Sequence, residues 1–288
     1  MFFPYPPPMA ARNPAVEVVP APANLHAHTM KQPPFARSFA LVLLTLATAL
    51  RLPAQNAPQA IADPAPATPT DKLSPNPAIV PATRSTPTNW FSRHEGFVAR
   101  AKMGGVDLLF LGDSITDNWR SRGSNVWAKY YATRHAANFG IGGDRTQHVL
   151  WRIDHGELDG LKPRVIVLMI GTNNSNSDSP DQIAEGVEKI VAEIREKCPG
   201  SKLLLLAIFP RNKPADKPDQ MDTIRRVNTR LARLDDGKWI HFLNFNDKFL
   251  GPDGKVPADI MPDFLHPNEK GYEIWADAME DTLAGLLK

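Results

Sequence analysis

The sequence predicts an α/β fold: a parallel sheet of five strands covered on both faces by helices. Apolar runs at 106–111, 165–170, 203–209 and 239–245, with a shorter strand at 137–139, lack the alternation of half-exposed strands and read as strands buried on both sides. Stretches of helical spacing lie between them, the order that builds a parallel sheet. The strands run out into Gly, Asp, Ser, Thr and Asn, at the carboxyl edge where such sheets collect reactive groups.

Proline sets the domain limits. Eighteen of the 28 prolines lie in residues 1–88, a density that excludes a packed α/β domain there, and the 200 residues that follow suffice for one sizeable core. Residues 1–88 carry six Lys/Arg and three Asp/Glu, leaving 27 and 28 in residues 89–288, a net charge of −1. A nucleic-acid footprint is not indicated. A single cysteine, Cys198, rules out an intramolecular disulfide and reads as a small buried residue or an exposed thiol.

In chain order, residues 1–29 form a Pro-rich leader, and Met30 is the expected start. Lys31 and Arg37 precede the most apolar run of the chain, residues 38–50, and Leu52-Pro-Ala54 follows it. Basic region, apolar region and small residue are the order of a secretory signal peptide over 30–54. The run falls short of the roughly 20 residues that span a bilayer, and an uncleaved membrane anchor is its other reading. The mature chain is expected to begin near Gln55, secreted or periplasmic, without stable membrane insertion. Residues 55–88, rich in Ala, Pro and Thr, are expected to be a disordered linker, and the domain to occupy 89–288.

Trp90, Phe91, His94, Phe97, Val98 and Ala101 recur at helical spacing and end at Gly104-Gly105, before the first strand. A helix is expected at 126–135, and another opens at Asp144 with Val149, Leu150 and Ile153 on one face. Pro180-Asp181 opens a clear helix that stops at Pro199-Gly200, and further helices are expected at 219–234 and 268–287.

The first strand ends in Gly112-Asp-Ser114. A serine at a strand-to-helix turn either caps the helix or presents its hydroxyl as a nucleophile. A serine nucleophile needs a base, a group orienting the base, and donors where the oxyanion forms. Of eight histidines, His266 alone occupies a loop at the mouth of the sheet. Asp263, three residues earlier, can reach its Nδ1 or can simply form the turn after Pro262. Asn173 after the third strand is a side-chain donor or a left-handed turn residue. Gly143 offers an unshielded N–H or turn flexibility. Each bland reading stands alone; four such residues at one end of successive strands favour chemistry. No cluster has metal-ligand spacing, and neither a phosphate loop nor a dinucleotide fingerprint appears, so no metal or cofactor is expected.

Gly112-Asp-Ser-Ile-Thr116, Gly142-Gly-Asp144, Gly171-Thr-Asn-Asn174 and Asp263-Phe-Leu-His-Pro267 resemble, in order, the four sequence blocks of the SGNH (GDSL-type) hydrolases. The stretch Asn138-Phe-Gly-Ile-Gly-Gly-Asp-Arg-Thr-Gln-His-Val-Leu-Trp-Arg152, with Gly156-Glu-Leu158, resembles the catalytic-subunit family of platelet-activating factor acetylhydrolase IB. The resemblance covers about residues 90–285. It implies a flavodoxin-like three-layer sandwich with a five-stranded parallel sheet. It implies Ser114 as nucleophile, His266 as general base and Asp263 as the acid orienting it, with the N–H groups of Ser114 and Gly143 and the Asn173 side chain as oxyanion hole. It also implies a small acyl pocket lined by Ile115, Thr172 and Leu265, bulky enough to favour acetyl. Asp113 reads as a turn-stabilising residue outside the triad, and His148 and Trp151 as packing residues.

The expected function is therefore that of a secreted serine esterase for short acyl groups. An exported enzyme meets acetylated carbohydrate or small-molecule esters more readily than a signalling phospholipid, which makes the acetyl-phospholipid the enzymatic alternative. A non-catalytic carbohydrate-binding protein on the same scaffold is the alternative of another class. The resembled subunits dimerise, which makes a homodimer possible, although no feature of this sequence demands one.

Overall fold

The structure, a computed structural model, describes residues 75–85, 89–214 and 216–288. The leader, the signal segment and residues 55–74 and 86–88 of the expected linker lie outside the described residues.

Five apolar runs pair in parallel as β1 (Leu108–Gly112), β2 (Ala136–Gly140), β3 (Val165–Met169), β4 (Lys202–Leu206) and β5 (Ile240–Leu243), in the order β2-β1-β3-β4-β5. β1, β3, β4 and β5 are each shorter than their apolar runs, because pairing ends where the chain leaves the sheet for the loops, and β2 extends one residue beyond each end of the expected 137–139. The order reverses direction between β1 and β3. That is the switch point at which open parallel sheets bind ligands. Gly112 of β1 stands beside Gly140 of β2 and Met169 of β3, so three loops leave the sheet at one level.

Among the described residues seven α-helices cover the two faces: α1 (Trp90–Lys102), α2 (Ser114–Asp117), α3 (Ser124–Tyr130), α4 (Thr146–Asp154), α5 (Pro180–Lys197), α6 (Gln220–Leu231) and α7 (Glu269–Leu286). Alternation within each strand sorts the core. Leu109 and Leu111 point to the face held by α1, α4, α5 and α6, with Phe97, Val149, Ile190 and Val227. Leu108 and Phe110 point to the face held by α3 and α7, with Val126, Trp275 and Met279. Phe110 packs its ring 5.0 Å from Tyr131 and 6.4 Å from Trp275, and burying a side chain of that size contributes about 1.5–3 kcal/mol. Helix α5 is well specified locally: Ser179 and Gln182 form a reciprocal cap and Pro180 takes the first turn.

Two expectations require correction. The helix expected at 126–135 ends at Tyr130. His135 adopts φ 46° and its carbonyl accepts from Asp107 N (3.1 Å), because the chain must already align with β1 there. The segment 75–85, expected to be disordered, is seated on α4 and α5, so the packed domain begins before residue 89. Asn76 caps a short turn at Pro77–Ile79 through Ala78 N (2.9 Å), and its amide donates to Gln182 O and Glu185 Oε2. Thr146 Oγ1 donates to Ala78 O (2.8 Å), Ala82 N donates to Gln147 O (3.0 Å), and Ala78 is fully buried. A few contacts suffice where the composition alone reads as linker.

Gly186 of α5 is what lets the segment 75–85, a strap laid on α4 and α5, approach: a Cβ there would stand 2.6 Å from Thr146 Oγ1 and 2.9 Å from Ala78 O. In an exposed helix interior Gly→Ala stabilises by about 1 kcal/mol. Here overpacking of about 1–3 kcal/mol opposes that gain. Gly186→Ala is expected to lower stability in chemical denaturation; a stabilised variant would contradict the seating of the strap.

Candidate active site

Ser114 is the first residue of α2 and does not cap it. Asp113 does: its Oδ1 accepts from Ile115 N (2.9 Å), which leaves the serine hydroxyl unspent. Ser114 Oγ stands 2.9 Å from His266 Nε2, joining the end of β1 to the loop before α7. Both are half-buried.

Asp263 divides its two oxygens between the two roles the sequence left open. Oδ1 accepts from His266 N (2.8 Å) and Leu265 N (3.3 Å) and shapes the turn, while Oδ2 lies 2.6 Å from His266 Nδ1. The turn also holds Phe264 at φ 57°, a left-handed conformation costing about 1–3 kcal/mol for such a residue. Burial raises the Asp263 carboxyl, but hydrogen bonds from the His266 ring and backbone and from Leu265 outweigh it and hold it at about 2. It therefore stays ionised above pH ~4. An ionised Oδ2 fixes the proton on His266 Nδ1 and leaves Nε2 to accept from the serine hydroxyl.

Gly142 closes over the serine, with Gly143 next in the loop: a Cβ on Gly142 would stand 3.7 Å from Ser114 Cβ. The loop is pinned from several sides. Gly142 N donates to Asp117 Oδ2 (3.3 Å), and Asp117 is gripped by both terminal nitrogens of Arg93 at 3.0 and 2.6 Å. Asn173 Nδ2 donates to Asp144 O (2.8 Å), which brings the amide beside Gly143 and commits one of its two hydrogens to the loop. Trp90 Nε1 donates to Asp144 Oδ1 (2.7 Å).

Beneath the loop, Arg152 is fully buried. Its Nη1 pairs with Glu157 Oε2 and donates to Phe139 O, and its Nη2 donates to Gly112 O. Nε lies 3.0 Å from Asp144 Oδ2 without aligning as a hydrogen bond. Burial raises the Asp144 carboxyl to about 6 against the pull of Arg152 and the Trp90 hydrogen bond. His148 Nδ1 accepts from Arg145 N (3.0 Å), and burial with the nearby Arg84, Arg145 and Arg152 charges lowers its pKa to about 4. It is a neutral helix cap at neutral pH, beyond the packing role expected of it, and Trp151 packs 5.2 Å from the Trp90 ring.

Of the expected acyl-pocket residues, Ile115 is fully buried and Thr172 and Leu265 are buried. Tyr272 donates its hydroxyl to Ile115 O (2.6 Å), and Arg211 Nη1, its guanidinium bound to Asp216, donates to Thr172 O (3.1 Å). Asp117 and Arg211 carry no mark in a motif, and Arg152, the last residue of the family-like stretch 138–152, carries no expected role there. The signal that could have found it is a charge three residues after Val149 on the apolar face of its helix. Among the described residues no group of three or more His, Cys, Asp or Glu could hold a metal ion, and no helix is long and apolar enough to cross a membrane.

The model of the GDSL-like lipase/acylhydrolase family matches residues 110–274. The chain belongs to this family. It is a carboxylic ester hydrolase. It is 34% identical over 215 residues to platelet-activating factor acetylhydrolase IB subunit alpha1 of Bos taurus, a match spanning 72% of this chain and 90% of the relative. It is 33% identical to subunit alpha2 of Rattus norvegicus over 218 residues, 74% of this chain and 93% of the relative. Among solved structures, a GDSL-like lipase from Bacteroides thetaiotaomicron superposes with a TM-score of 0.54 at 18% identity, covering 68% of this chain and 98% of that one. That likeness establishes the SGNH hydrolase fold.

Burial pushes the Asp113 carboxyl up to about 7, against the Ile115 hydrogen bond. The folded chain then holds a proton on Asp113 that the unfolded chain, near 3.8, releases, so this group makes stability fall as pH rises from about 4 to about 7. Asp113→Asn keeps the capping oxygen and removes the titration. Denaturation between pH 5 and 8 is expected to show a shallower loss in the variant, by about 2–3 kcal/mol; parallel curves would contradict it.

Proposed function

We propose that this hydrolase removes short acyl groups, chiefly acetyl, through an acyl-enzyme on Ser114. The observation that carries the reading is the continuous chain from Ser114 Oγ through His266 to an ionised Asp263, at 2.9 and 2.6 Å. As Oγ attacks the acyl carbon, His266 Nε2 takes its proton, and Asp263 stabilises the imidazolium that results. The carbonyl oxygen becomes an oxyanion facing the N–H groups of Ser114 and Gly143 and the free amide hydrogen of Asn173. His266 returns the proton to the departing alcohol. Water then repeats the sequence against the acyl-enzyme, and Ser114 leaves with its proton restored.

Three features support acetyl. Ile115, Thr172 and Leu265 are buried and offer little apolar surface for a long chain. Tyr272 and Arg211 hold the backbone of two of them and oppose widening of the pocket. The relatives are named as acetylhydrolases. For the alcohol, the signal-like segment at 30–54 favours a carbohydrate or small-molecule ester met outside the cytoplasm, in the secreted or periplasmic space. The relatives' names favour a second reading, the platelet-activating factor type of acetyl ester.

Ser114→Ala is expected to lower kcat/KM on p-nitrophenyl acetate at least about a thousandfold. The wild type is expected to favour the acetate over the octanoate by about a hundredfold, since one methylene that does not fit the pocket costs about 1–3 kcal/mol and the rest of the chain can stay in water. Retained hydrolysis in the variant would refute the triad, and equal kcat/KM on the two esters would refute the acetyl preference. Acetylated xylan, acetylated sugars and acetyl-phospholipid compared side by side decide the alcohol, and a wild type inert to every ester would favour a binding role.

A further inference from the structure

The strap formed by residues 75–85 carries Arg84 to the loop that closes over Ser114. Nη1 of Arg84 donates to the carbonyl oxygen of Gly142. The guanidinium lies so close above the next residue that a Cβ on Gly143 would stand 2.9 Å from Nη2 and 3.1 Å from Cζ. It fills the space that a side chain at Gly143, with φ 81°, would need.

The Gly142 oxygen and the Gly143 N–H belong to one peptide unit. That unit is planar and trans, so a partner fixing the C=O direction also fixes the N–H, which points the opposite way. A cation on the oxygen further polarises the amide and makes its N–H a stronger donor. The preceding peptide unit is clamped by an anion, Asp117, itself held by Arg93. The glycine loop is thus set between opposite charges, with a dipole aligned across it.

We propose that Arg84 is a positioning residue of the esterase: it aims and polarises the Gly143 N–H at the oxyanion. The inference rests on the oxyanion reading of Gly143 given above. Docking of the strap does not depend on Arg84, because Asn76, Ala78 and Ala82 anchor it on α4 and α5.

The test compares full-length wild type, Arg84→Ala and Ser114→Ala on p-nitrophenyl acetate. Losing an oxyanion donor outright costs about 10²–10³ in kcat, and loosening one is expected to cost about 10–100-fold, with KM within about threefold of wild type. Guanidinium ion at millimolar concentrations is expected to restore part of the kcat of Arg84→Ala and to leave wild type unimproved, a response that a merely structural defect does not give. A wild-type kcat in Arg84→Ala, a loss carried by KM, or a loss that guanidinium leaves in place overturns the proposal, whatever the Tm. Activity retained by Ser114→Ala would instead remove the reading beneath it. An inert Ser114→Ala beside a fully active Arg84→Ala removes the role of Arg84 alone.

Discussion

The site depends on a guanidinium buried where water does not reach it. Arg152 spans the carboxyl ends of β1 and β2 through Gly112 O and Phe139 O, and faces Glu157 and Asp144 from within the core. Removing one partner of such a buried pair costs about 3–5 kcal/mol, whereas an apolar replacement of the whole cluster is often neutral. Its contribution is therefore one of position more than of net stability. With Arg152 in place, the ends of two strands and the turn at Asp144 keep a single arrangement, and the glycine loop inherits it.

From that anchor the site assembles by short links. Asp144 receives Trp90 from α1 and passes its carbonyl to Asn173 from the loop after β3. Asp117 at the end of α2 receives Gly142 N and is held by Arg93. The serine turn, the glycine loop and the asparagine come from three strands that end level with one another. Parallel pairing at the switch point gives them a shared floor, and the loop before α7 brings the histidine across to it. Rigid elements thus carry the reactive groups, while the chemistry falls on their loops.

Much of this was legible because it rests on local patterns. Buried strands such as 165–170 announce themselves by apolar continuity, and Asp263 with His266 by a spacing that fits one turn. Other parts depend on contacts across long sequence separations. Whether Ser114 or Asp113 caps α2 is a matter of which side-chain oxygen turns to an N–H of the first turn, and two adjacent capping residues read alike; it is Asp113, through Ile115 N. The strap at 75–85 was hidden by its composition: Asn76, Ala78 and Thr146 make its docking, and none is apolar and large. The helix expected through His135 was cut short by the need to bring Ala136 alongside Leu108, a tertiary demand that overrides local helical spacing.

In the proposed mechanism the Ser114 hydroxyl, and no other group, is made nucleophilic by His266 and Asp263. Treatment of the native chain with an alkyl fluorophosphonate, followed by peptide mass analysis, tests it directly. One covalent adduct is expected, on the peptide that contains Ser114, forming in step with the loss of esterase activity. An adduct on another residue, or full inhibition without any adduct on Ser114, would contradict it.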